Sequence, residues 1–131
     1  MPVNFTLASF DPMTLFCPPN EFEFLDRGFK LSPDHDPDEG VASFVRSYED
    51  GVDLIVALQV GSTSSLFVSI TKKTKVLSEI TLECVEKISF QAWLGERTIR
   101  GSFSLHAATM DLRVHYDPVP SIHVSVLSKN G

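Results

Sequence analysis

Val52, Leu54, Val56, Leu58 and Val60 fall on alternate positions of a single stretch, a spacing that puts them all on one side of a β-strand and scatters them around a helix. The intervening Asp53, Ile55, Ala57 and Gln59 are mixed, as expected for a central strand covered on one face and partly on the other. Residues 41–49 are also strand-like, and Asp50-Gly51 stands between the two stretches. Asp-Gly readily takes the positive φ values of a type I′ turn, so a β-hairpin is expected here.

The same period recurs downstream. Leu66, Val68 and Ile70 alternate before a Lys72-Lys73-Thr74-Lys75 turn. Ile99, Phe103 and Leu105 alternate with Arg100, Ser102, Ser104 and His106, and Leu112, Val114 and Tyr116 alternate with Asp111, Arg113 and His115. Ile122, Val124 and Val126 follow Asp117-Pro118-Val119-Pro120, whose prolines exclude it from a central strand and mark a turn. Short strands at this spacing predict a mainly β fold, an antiparallel sandwich or an open barrel-like sheet, with room for one short helix.

Residues 76–92 carry two patterns. Leu77, Ile80, Cys84, Val85, Ile88 and Ala92 fit a helical stripe, which would make the fold α+β; Ile80, Leu82 and Cys84 also alternate, and β-branched residues are frequent. Two strands are the expectation. No repeat or linker divides residues 1–131, which read as a single β-rich domain long enough to bury one core. With 43% hydrophobic residues and ten Phe, the chain lies far from the composition of disordered segments.

The net charge of −6 is unevenly spread. Residues 21–53 hold ten acids (Glu21, Glu23, Asp26, Asp34, Asp36, Asp38, Glu39, Glu49, Asp50, Asp53) against three bases, and the remainder holds seven acids against eight bases. Such a concentration repels phosphate backbones and attracts basic proteins, so direct nucleic-acid binding is not expected. Asp34, Asp36, Asp38 and Glu39 of the 32–40 loop, with Glu49, Asp50 and Asp53 of the hairpin, are the candidate partner-binding residues, provided that loop and hairpin tip project together.

No metal or other cofactor is expected. Asp34-His35-Asp36-Pro37-Asp38-Glu39 departs from a calcium loop at its sixth position, Glu39 instead of Gly, and at its twelfth, Val45 instead of Glu. Cys17 and Cys84 lack metal-ligand spacing and read as buried, reduced thiols. The stretch from Met1 to Phe10 has no basic segment ahead of an apolar one, and the run from Leu54 to Leu58 is far shorter than the roughly 20 residues that span a bilayer. A cytoplasmic protein without a membrane association is therefore expected.

Nothing in the sequence points to an enzyme. His106, His115 and His123 share the polar phase of neighbouring strands with Arg100 and Arg113, but no metal-binding spacing or paired nucleophile accompanies them. That face reads as a solvated sheet or a surface for a ligand or partner. Gly61-Ser62-Thr63-Ser64-Ser65 has neither the second glycine of a nucleophile elbow nor the lysine of a phosphate loop, and reads as a connection. Trp93 is expected in the core.

Residues 80–90, followed by Ile99-Arg100-Gly101-Ser102-Phe103 and Leu112-Arg113-Val114-His115-Tyr116, resemble the strand rhythm of small β-rich immunity proteins of bacterial polymorphic-toxin systems, those of contact-dependent inhibition or type VI secretion. The resemblance implies a cytoplasmic, non-enzymatic protein that binds a cognate toxin domain and blocks it. Toxin nuclease domains are commonly basic, in keeping with the acidic charge. A small-molecule-binding β-barrel and a structural assembly subunit are the other readings of such a sheet.

Overall fold

A computed structural model describes residues 18–60, 64–105 and 108–129; Cys17, Gly61, Ser62, Thr63 and His106 lie outside the described residues. The elements are α1 (Glu21–Leu25), β1 (Lys30–Leu31), a 3-10 turn (Pro37–Glu39), β2 (Val41–Ser47), β3 (Val52–Gln59), β4 (Ser65–Lys72), β5 (Lys75–Glu83), β6 (Val85–Trp93), β7 (Glu96–Leu105), β8 (Ala108–Asp117) and β9 (Ser121–Lys129). They form two antiparallel sheets, β1-β2-β3-β4-β5 and β9-β8-β7-β6. The fold is a mainly β sandwich with a short helix, and among the described residues the sheets do not close into a barrel.

Each sheet is a meander in chain order, so residues that alternate in the sequence line up across neighbouring strands. Phe44 pairs with Val56 and Val56 with Val68, while Ala42, Leu58 and Leu66 form the adjacent row. Apart from the half-buried Ala42, these side chains are buried, together with Leu54, Leu82, Ile99, Phe103, Leu112 and Val114. Burying such side chains contributes about 1.5 to 3 kcal/mol each. Val60, placed on the same face by its period, lies beyond the end of β3 and is exposed, its N–H held by the Gly40 carbonyl at 3.0 Å.

Helix α1 supplies the plug between the sheets. Asn20 caps it, accepting from the Glu23 N–H while the Glu23 side chain accepts from the Asn20 N–H, the reciprocal arrangement that fixes a short helix at its start. Phe24 is thereby driven fully into the core, stacked on Phe44 of one sheet at 4.1 Å between centroids and edge-on to Phe90 of the other at 5.0 Å.

Residues 76–92 are strands, as their alternation indicates. The helical stripe is broken at Cys84, whose φ of +58° passes the chain from β5 in one sheet to β6 in the other. That position leaves the Cys84 thiol exposed and not buried as its residue type suggests. Trp93 departs from expectation in the same way. It ends β6 on the outward phase at a hairpin tip and is 76% exposed.

The Asp50-Gly51 hairpin forms, with a different turn. Tyr48 N–H donates to the Val52 carbonyl at 2.8 Å across a Glu49-Asp50-Gly51 loop, and Gly51, at φ +82°, takes the left-handed region. Asp50 does not join it there; its carboxylate accepts from the Val52 N–H at 3.4 Å, a local bond that makes aspartate a turn residue. Paired positive φ values occur instead at Lys73-Thr74 and Leu94-Gly95.

Candidate functional site

The acidic loop lies along the free edge of β2. β1 pairs with β2 only at Lys30 and Leu31, and the loop continues the ladder by other means. Ser32 N–H donates to the Ser43 carbonyl at 2.9 Å, Ser43 N–H donates to His35 Nδ1 at 3.1 Å, and Asp36 and Val41 exchange both backbone bonds at 2.9 Å. With Nδ1 accepting, His35 carries its proton on Nε2, which lies 3.2 Å from the Glu21 carboxylate. The strand edge is covered, and Asp34, Asp36, Asp38 and Glu39 are held on a braced segment.

Glu49 and Asp50 sit at the opposite end of β2, and Asp53 pairs with Ser47 beside them. At about 3.3 Å per residue, the ends of β2 are about 20 Å apart. Loop and hairpin tip thus do not project together, because an antiparallel turn must follow the strand that the loop precedes. They form two acidic groups bracketing one strand.

A second charged surface lies on the outer face of the four-stranded sheet. The register sets Ser89, Arg100, Arg113 and His123 in one row across β6 to β9, flanked by Lys87, Ser102, Asp111 and Ser125 on one side and Gln91, Thr98, His115 and Ser121 on the other. Arg100, Arg113, His115 and His123, which share a phase in the sequence, are therefore brought together. Two arginines directly opposite each other would repel. Asp111 relieves this, accepting from Arg100 Nε at 2.8 Å on one oxygen and from Arg113 Nε at 3.0 Å on the other.

Asp111 is 1% exposed, and a buried carboxylate is tolerated only when its charge is matched and its lone pairs are used. Its place among cations on one strand face is visible in the sequence; its burial is not, since it depends on the register with the neighbouring strand that carries Arg100. The Trp93, Gln91, Thr98, Arg100, Arg113 and His115 side chains border a groove of about 550 Å³. Glu96 at its rim pairs with His115 at 3.2 Å, and the His115 and His123 rings meet edge-on at 5.1 Å.

The sheets are tied at the hairpin end by polar contacts. Tyr48 Oη donates to the Tyr116 carbonyl at 2.6 Å, and Arg46 reaches the Asp117 carboxylate at 3.6 Å and the Arg27 carbonyl. Burial pushes the Tyr48 phenol up to about 12 against the opposing pull of Arg46, and burial likewise raises Tyr116. Among the described residues no cluster of His, Cys, Asp and Glu is arranged to hold a metal, and no helix is long and apolar enough to cross a membrane.

No family model matches the sequence, and no curated protein matches it. Among solved structures, a chain of a contact-dependent growth inhibition toxin–immunity protein complex from Klebsiella pneumoniae 342 has the same fold, with a TM-score of 0.66. The match covers 83% of this chain and 95% of that one at 16% identity.

Proposed function

We propose that this chain is an immunity protein: it binds a cognate toxin domain in the bacterial cytoplasm and neutralises it by occlusion, without catalysis. The observation that carries this reading is the likeness of its whole sandwich to a chain from a toxin–immunity complex, covering nearly all of that chain. The strand rhythm of residues 80–116 points the same way from the sequence.

The charge pattern supports a basic partner, such as a nuclease domain. Asp34, Asp36, Asp38 and Glu39 at one end of β2, and Glu49, Asp50 and Asp53 at the other, offer two acidic footholds. A standard interface of about 800 Å² per partner is about 28 Å across, wide enough to touch both. Such charges speed encounter and select against like-charged proteins more than they add affinity.

The test is co-expression with the C-terminal domain of the large protein encoded immediately upstream. Rescue of a growth-arrested bacterial host, together with a stoichiometric complex on gel filtration, is the expected result. A folded chain that neither protects the host nor binds that domain would refute the reading.

A further inference from the structure

We infer that the outer face of the four-stranded sheet is a second recognition surface, built to receive the carboxylates of an acidic protein segment. Its core is the Arg100–Asp111–Arg113 group. Each arginine is tied to Asp111 through Nε. Their Nη nitrogens bond to no other described residue, and the two side chains remain 35% and 52% exposed. The buried aspartate thus acts as a brace that fixes two guanidinium planes while leaving their outer nitrogens free.

Lys87 stands one row away, so the group keeps a positive balance after Asp111 is counted. The nearby acids are already engaged, Glu96 with His115 and Glu86 with the Ser104 hydroxyl at 2.9 Å. Trp93 and Leu94, 76% and 85% exposed, stand at the adjoining hairpin tip, with Trp93 also lining the groove. Preset guanidiniums beside an exposed tryptophan are the residue types that dominate protein-interface energetics.

The number and spacing of the cations decide between a protein and a nucleic acid as occupant. A phosphodiester chain would need several cations in line, and the row supplies only Arg100 and Arg113. One or two carboxylates match the forked geometry of the paired arginines and need no extended basic track. The surface is separate from the acidic loop and holds whether or not the partner is a toxin.

The test is calorimetric titration of the whole chain at low salt with a blocked hexaglutamate peptide, with a single-stranded DNA hexamer in parallel. Peptide binding, weakened about tenfold or more when both guanidiniums are removed, is expected, since each charge-assisted bond is worth about a factor of ten. Arg100→Met/Asp111→Leu/Arg113→Met removes the group as a set and avoids stranding the carboxylate. Trp93→Ala, at an exposed tip, should weaken the peptide without disturbing the melt. Reversing Asp36, Asp38 and Glu39 to Lys should not weaken it. Absence of peptide binding, tighter binding of the DNA, or binding unaffected by Arg100→Met/Asp111→Leu/Arg113→Met would overturn the inference.

Discussion

The Tyr48 hydroxyl, just past the end of β2 in one sheet, is bonded to the Tyr116 carbonyl of the other at 2.6 Å, which makes the junction of the sandwich dependent on a protonated phenol. The folded Tyr48 titrates near 12, above its ordinary 10.0. The unfolded chain therefore releases this proton first as pH rises, and stability present below pH 10 is lost on the way to 12. Thermal midpoints should fall across that window, and Tyr48→Phe, which has no proton to lose, should show a shallower fall. An identical slope in the two proteins would contradict the assignment.

Leu58 is 2% exposed in the middle of the apolar row that runs from Ala42 to Leu66. Leu58→Ala should cost about 2 to 5 kcal/mol in a denaturant titration. A loss below about 1 kcal/mol would mean that neighbouring side chains close the void.

Gly40 has φ +76°, and a Cβ there would lie 2.6 Å from the Val60 carbonyl oxygen. Both effects oppose a side chain. Gly40→Ala should destabilise by roughly 1 to 3 kcal/mol, measured by chemical denaturation. Gly95 also has a positive φ, but nothing lies within 4 Å of its added Cβ, so Gly95→Ala should cost less.

The Arg100–Asp111–Arg113 group should show an ordering that simple counting of contacts misses. Arg100→Gln/Arg113→Gln leaves the buried Asp111 carboxylate without a counter-charge and should cost about 3 to 5 kcal/mol. Replacing the group with apolar residues removes that charge as well and should cost less. Equal losses for the two variants in urea melts would show that Asp111 is not electrostatically dependent on its partners.

Asp36→Lys/Asp38→Lys/Glu39→Lys should leave the melt within about 0.5 kcal/mol of the parent, because the loop is held by its backbone. Against a basic partner, the same variant should associate more slowly and with a flatter salt dependence, read by stopped-flow at several ionic strengths. Unchanged rates would reduce these acids to a solubilising surface.

The alternation of Val52, Leu54, Val56 and Leu58 was enough to specify both strand and buried face, because period two has a single geometric outcome. The sheet change at Cys84 left no such mark; only its backbone conformation separates β5 from β6. Trp93 departs from its expected core position because residue type favours the interior while position at a hairpin tip forbids it. The shared phase of Arg100, Arg113, His115 and His123 was readable, yet the aspartate that organises the arginines depends on register between strands. The separation of the two acidic groups likewise follows from which end of β2 each adjoins.

Because, among the described residues, all pairings in both sheets join strands that follow one another in the chain, each described sheet is encoded by one stretch, with the boundary at Cys84. Most contacts can form over short closed loops, which lowers the entropic barrier and favours rapid folding for an all-β protein. During synthesis, β1 to β5 can zip hairpin by hairpin while the second sheet is still in the ribosomal tunnel. What that first sheet lacks at this stage is its cover, so its apolar face stays open to chaperones until β6 to β9 emerge and close over Phe24.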